Sequence, residues 1–105
     1  MNKGIKSMLA PSAEVAVNAQ GGKQSRETMR FDLLDAEAMM ALAGVLAHGA
    51  EKYGENNWRK IPAKSHINHA LVHLFAYLAG DTQDDHLDHA FCRVMMARAM
   101  AEAAK

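Results

Sequence analysis

The chain has 105 residues, a formal net charge of zero, 50% hydrophobic residues and 23% charged ones. That length allows a single domain, and the composition excludes wholesale disorder and a collagen-like repeat. No run approaches the roughly 18 apolar residues of a membrane-spanning helix, and the lone Cys92 excludes an internal disulfide framework. Only Met8, Leu9 and Ala10 follow the basic Lys3 and Lys6 before Pro11, too short for the core of a signal peptide, so a cytoplasmic location is expected. A domain this small buries a modest fraction of its surface, and partner subunits are expected to complete its core.

Residues 1–29 are expected to form an irregular, basic arm. Gly4, Pro11, Asn18, Gly21 and Gly22 punctuate them, and no period is sustained. One brief element over 12–19, capped by Ser12, fits either a helix or a strand. Residues 1–30 carry a balance of +3 and the remainder −3. Such an arm is usually a solvated tail, and stable nucleic-acid binding is not expected from so few charges.

From residue 30 onwards the pattern predicts one all-α domain, 30–105, a small bundle of three helices. The first spans 36–53, with Asp35 as its N-cap and Gly54 as its stop; its apolar stripe is Ala38, Leu42, Val45, Leu46, Gly49 and Tyr53. The second spans 65–79, between Pro62 and Gly80, with Ile67, Ala70, Leu71, Leu74, Phe75 and Leu78 as the expected buried face. The third spans 85–104, with Leu87, Ala90, Phe91, Val94 and Met95 expected inside. Asp84 and Asp85 suit its start, where the helix dipole favours negative charge. Its remaining circumference is rich in alanine and methionine, which predicts assembly into a homodimer or tetramer.

The histidines are unusually frequent, six in the chain. His66, His69, His73 and Tyr77 recur at helical spacing along the second helix, and His86, His89 and Arg93 continue along the third. The short connection makes these helices antiparallel neighbours, so His73 is expected near His86 or His89. Imidazoles paired at such spacings on facing helices recur in metal sites of helical bundles. A row of surface histidines is the plainer alternative. Asp81, Asp84, Asp85 and Asp88 can supply oxygen ligands or orient the imidazoles, or can be only a solvated helix start.

A second cluster follows the first helix: Lys52-Tyr53-Gly54-Glu55-Asn56-Asn57-Trp58-Arg59-Lys60. An aromatic ring can stack a base, cations can hold phosphates, and amides can read base edges. The alternative is a helix C-terminus whose cations complement its dipole, with Trp58 filling the core. Gly21-Gly22-Lys23-Gln24-Ser25 is too short and loose for a phosphate-binding loop.

Several segments together resemble a known family. Arg30-Phe31-Asp32-Leu33-Leu34, Glu37-Ala38, His48-Gly49-Ala50-Glu51-Lys52-Tyr53-Gly54 with Asn57-Trp58, His73-Leu74, Gly80-Asp81 and His86-Leu87-Asp88-His89-Ala90 are similar, in order and spacing, to the phage dATP/dGTP diphosphohydrolase N-terminal-domain family. That family is related to the MazG-like, all-α nucleoside triphosphate pyrophosphohydrolases, whose paired helices hold magnesium or manganese with glutamates followed by Glu-x-x-Asp. Here the equivalent acids are missing: His69 and His73 stand at the first set, and His86 and His89 replace Glu-x-x-Asp. Val72 also stands where the family commonly has an arginine.

The resemblance implies metal-dependent hydrolysis of a purine deoxynucleoside triphosphate, dATP or dGTP, to monophosphate and pyrophosphate, in the host cytoplasm if the chain is phage-encoded. It assigns His69, His73, His86 and His89 to a divalent metal, manganese or magnesium, with the imidazoles better suited to manganese or another transition ion. Glu37, Asp85 and Asp88 are the candidate ligands or general bases. Arg30 and Lys52 would steady phosphate charge, and Tyr53, Asn57 and Trp58 would complete the nucleotide site. The alternative is a non-catalytic helical module that binds nucleotide or partner helices. Other hydrolase classes fit poorly: the chain has no His-Asp dipeptide and no His-Glu-x-x-His, and Cys92 has no nearby base to make it a nucleophile.

Overall fold

The computed structural model describes residues 14–103, so any element around Ser12, and the expected extension of the last helix to 104, lie outside the described residues. The chain divides into two compact units at Leu34/Asp35. The first holds a small antiparallel hairpin, β1 (Val15–Val17) against β2 (Lys23–Ser25), with Val15 opposite Ser25 and Val17 opposite Lys23. The segment around 15–17 is thus a strand, in keeping with its two β-branched valines, and the arm is not irregular throughout. Asn18 closes the turn by accepting from the backbone N–H groups of Gln20 and Gly22 at 3.0 and 2.8 Å. A 3₁₀ turn, Phe31–Leu33, follows, where Arg30 grips Asp32 in a two-pronged ion pair.

The second unit is three helices, so the molecule is mostly helical. The first, α1 (Ala36–Tyr53), begins where the Asp35 carboxylate accepts from the Ala38 N–H at 2.9 Å and ends at Gly54, an N-cap and stop set by local chemistry. A 3₁₀ turn, Asn57–Lys60, leads to α2 (Ala63–Leu78). This helix starts directly after Pro62, two residues ahead of the predicted start, because Pro62 already offers its carbonyl to Ser65 and His66. It closes with the Gly80 N–H on the Tyr77 carbonyl and the Asp81 N–H on the Ala76 carbonyl. This Schellman closure needs the left-handed φ of 88° that Gly80 supplies. The last helix, α3 (His86–Ala103), returns antiparallel to α2 and also packs against α1 and the Asn57–Lys60 turn.

The core follows the predicted stripes only in part: Ala70 and Ala90 are buried as expected, but the large side chains beside them are not. The buried residues are Ala70, Ala90, Cys92 and Ala97, together with His66 and His86, while Ile67, Leu71, Leu74, Phe75 and Leu78 on α2 are exposed. On α3, Leu87, Phe91 and Val94 are exposed as well. Both helices carry two adjacent stripes about 100° apart, and the stripe that meets the neighbour is the one of alanine and histidine. Alanines at 70, 90 and 97 bring the two backbones close, since nothing beyond Cβ intervenes. Because the helices are antiparallel, an equal rotation on each carries both leucine- and phenylalanine-rich stripes to one side of the pair. No helix among the described residues is long and apolar enough to cross a membrane.

Candidate functional site

The α2–α3 seam brings three histidines together. His73 Nδ1 lies 2.9 Å from His86 Nδ1, and the His73 ring stacks on His89 with centroids 5.0 Å apart. His86 Nε2 donates to the Asp81 carboxylate at 2.5 Å. That bond leaves the His86 Nδ1 lone pair facing His73, to take either the His73 N–H or a cation. The Asp81 carboxylate owes its position to the Schellman turn that ends α2. His89 Nε2 is 3.3 Å from Asp84, whose carboxylate also accepts from the Asp85 N–H at 2.8 Å.

The electrostatics suit a ligand set. Burial first, then the adjoining His89, hold His73 below the ordinary imidazole range, partly opposed by Asp84, which favours the neutral ring with its one nitrogen lone pair. The Asp85 N–H, then the surrounding histidines, hold Asp84 below the usual carboxylate range.

His73, Asp84 and His86 each offer one ligand atom, all within 4.8 Å of one another, a cluster that could hold a metal ion. Two imidazoles and one carboxylate fit a manganese, iron or zinc ion better than magnesium, which prefers oxygen. The 2.9 Å between the two Nδ1 atoms is the length of a hydrogen bond, with one proton between the rings. A bound ion would therefore replace the proton between the rings. The Asp81–His86 bond is the outer contact that ligating imidazoles commonly make.

His73, Asp84 and His89 also line a cleft of about 990 Å³, formed otherwise by the second half of α1, the Trp58 turn and one face of α3. Its volume is that of a small-molecule site. Lys52, Tyr53, Asn57 and Trp58 line it with Arg59 and Arg93. The Arg59 guanidinium lies 4.2 Å from the Trp58 ring centre and covers one face of the indole, while the Lys52 ammonium sits 5.0 Å from the Tyr53 ring centre. Part of the histidine cluster and the Lys52–Arg59 segment, read separately in the sequence, thus share one cavity.

Other predicted residues are placed elsewhere. Asp85 and Asp88 line a smaller hollow of about 300 Å³ that shares Asp84 with the cleft and also includes His86. His69 is exposed on α2, Glu37 is exposed in the first turn of α1, and neither lines the cleft. Arg30 is engaged with Asp32 in the first unit, whereas the cleft is built wholly from residues of the second.

Two features were only partly legible beforehand. Asp81 is singled out from its acidic neighbours only by the turn geometry. His66 belongs to the polar stripe, yet it is fully buried, with Nε2 against the Trp58 carbonyl at 3.0 Å and Nδ1 against Arg93 at 3.1 Å. Its spacing from Ala70 and His73 was the available signal.

Compared with known proteins, residues 18–105 match the family model described as dATP/dGTP diphosphohydrolase, N-terminal. No curated protein and no solved structure matches the chain.

Proposed function

Because the chain belongs to the dATP/dGTP diphosphohydrolase N-terminal-domain family, we propose that it hydrolyses a purine deoxynucleoside triphosphate, dATP or dGTP, to the monophosphate and pyrophosphate. The observation that carries this reading is the shared cavity: His73 and Asp84, two of the three residues of the metal-ligand cluster, line one cleft with a set of cations and rings. His73, Asp84 and His86 would hold a divalent ion, manganese before magnesium. Such an ion supplies neutralisation of phosphate charge and a more acidic water.

The chain's own residues do the rest. Lys52 and Arg59 hold phosphate oxygens, and Asn57 offers its amide to the base edge. The base stacks on the face of Trp58 that Arg59 leaves open. Water adds to the α-phosphorus, the bond from that phosphorus to the α,β-bridging oxygen breaks, and pyrophosphate leaves. The water's proton passes to a base beside the cluster, with His89, oriented by Asp84, the nearest cleft-lining group and Asp85 and Asp88 on the other side. The cytoplasm, where deoxynucleotides are made, is the compartment this reading requires.

Incubating the chain with dATP and dGTP, with manganese or with a chelator, tests the reading. Metal-dependent pyrophosphate release is the expected result; no release from either nucleotide by folded, metal-loaded protein overturns it. The sparse ligand set, one carboxylate among three groups, favours the second reading, a nucleotide-binding module without turnover. Tight nucleotide binding with no pyrophosphate in any metal would select it.

The same reading includes a second copy of the chain. The eight large apolar side chains on one side of the α2–α3 pair range from 37 to 76% exposed. Together they present on the order of 800 Å² of surface, the size that each partner contributes to a stable interface. A twofold arrangement covers this patch with itself. On α3, the cleft residues Cys92, Met96 and Ala99 lie on a different face from Leu87, Phe91 and Val94, so pairing leaves the cleft open.

A further inference from the structure

We propose that Arg93 is the principal polyphosphate-binding residue of the cleft and that His66 is the positioning residue that holds it there. The inference rests on the nucleotide reading above and names the group that recognises the phosphates. It begins with the hydrogen bonds of His66. A guanidinium has only donors and a carbonyl only accepts, so His66 must accept from Arg93 at Nδ1 and donate to the Trp58 carbonyl from Nε2. The ring therefore carries its one proton on Nε2. Both nitrogens are spent and the ring is fully buried, so His66 can neither ligate a metal nor move a proton.

What His66 does is mechanical. It ties the backbone of the Trp58 turn to the guanidinium of α3, two elements that line the same cleft. The Trp58 indole meets the His66 ring edge-on at 6.4 Å, which limits ring rotation further. One Arg93 nitrogen is anchored, and the remaining donors meet no hydrogen-bond acceptor among the described residues.

Arg93 differs from the other cations of the cleft. Arg59 rests on Trp58 and Lys52 lies beside Tyr53, whereas Arg93, held at the ring edge of His66, covers no ring face and pairs with no carboxylate among the described residues. A half-buried cation without a counter-ion is costly and favours an anion. Its fork of donors matches two phosphate oxygens, which an ammonium cannot do. His73 and His89 line the same cleft, so an anion held by Arg93 has the candidate metal cluster on the same cavity wall.

The experiment is calorimetric binding of inorganic tripolyphosphate, and separately of dATP and dGTP, to the full chain and its variants, with KM and kcat where turnover occurs. Arg93→Gln should weaken tripolyphosphate and both nucleotides alike, by about tenfold or more, with helical content unchanged. Arg93→Lys should restore only part of the loss. His66→Leu should weaken binding and raise KM with little change in kcat, and His66→Gln, which keeps one acceptor and one donor, should recover much of it. If His66→Leu does not fold, the two Arg93 variants decide. Tripolyphosphate binding without hydrolysis of any nucleotide would sustain the anion site and remove the hydrolase reading. Unchanged affinity in folded Arg93→Gln, or a wild-type chain that binds no tripolyphosphate, would overturn the inference whatever the activity.

Discussion

His73 and His86, from different helices, point like atoms at each other, Nδ1 to Nδ1 at 2.9 Å, with Asp81 holding the far side of His86. A single proton or a single cation can occupy that gap, and the choice between them is the difference between a structural pair and a metal centre.

Metal binding should follow the geometry and not the histidine count. His73→Ala and Asp84→Ala should each abolish high-affinity manganese or zinc binding, whereas His69→Ala, an exposed residue outside the cluster, should leave it intact. Titration calorimetry separates these outcomes; equal losses in all three would mean that the ion sits elsewhere.

Asp81→Asn should weaken metal binding by roughly 10–100-fold without removing it, as loss of an outer partner of a ligating imidazole does. The asparagine can still accept through its amide oxygen but no longer as a charge. The same titration reads the effect, and an unchanged affinity would show that the Asp81–His86 contact does not tune the site.

Cys92 should resist thiol reagents in the native protein. It is buried against the bundle, and burial pushes its thiol up, against the opposing field of Arg93, so both access and thiolate are scarce. Labelling with a disulfide reagent should be slow until denaturant is added. Rapid native labelling would mean that the packing around the Cys92 face of α3 opens readily.

Phe75→Glu should convert a dimer to a monomer with its helices preserved, because the side chain is 67% exposed within one chain and its replacement costs no intramolecular core. Light scattering at micromolar concentration measures the change. A wild-type mass near 11.5 kDa would remove the dimer, and a dimer unaffected by Phe75→Glu would move its interface to another face.

Gly80→Ala should destabilise the second unit by about 1–2 kcal/mol, the cost of a left-handed backbone with a Cβ. Space is not the cause, since a Cβ there meets nothing within 4 Å and the φ is 88°. Asp35→Ala, which removes the N-cap of α1, should cost about 1 kcal/mol. Thermal melts followed by circular dichroism should show both, as midpoints several degrees lower.

Local chemistry in the sequence determined much of this. Asp35 and Gly54 bound a helix from 36 to 53 because a cap and a stop act through neighbours a few residues away, and the observed α1 has those ends. The histidine spacing and the short link after Gly80 brought His73 within reach of His86 for the same reason, and the motif blocks carried the family. Tertiary structure decided which face of each helix turned inward. Ile67, Leu71 and Leu78 repeat as regularly as His66, Ala70 and His73, so periodicity marks two stripes on α2 and does not rank them. Hydrophobicity favours the first; backbone approach favours the second, because the alanines let α2 and α3 come close, and the hydrogen bonds of His66 and His86 satisfy the polar atoms thereby buried. The joining of the Trp58 turn to the histidine cluster across one cleft likewise depends on how α1 and α3 pack, a long-range outcome that no local spacing encodes.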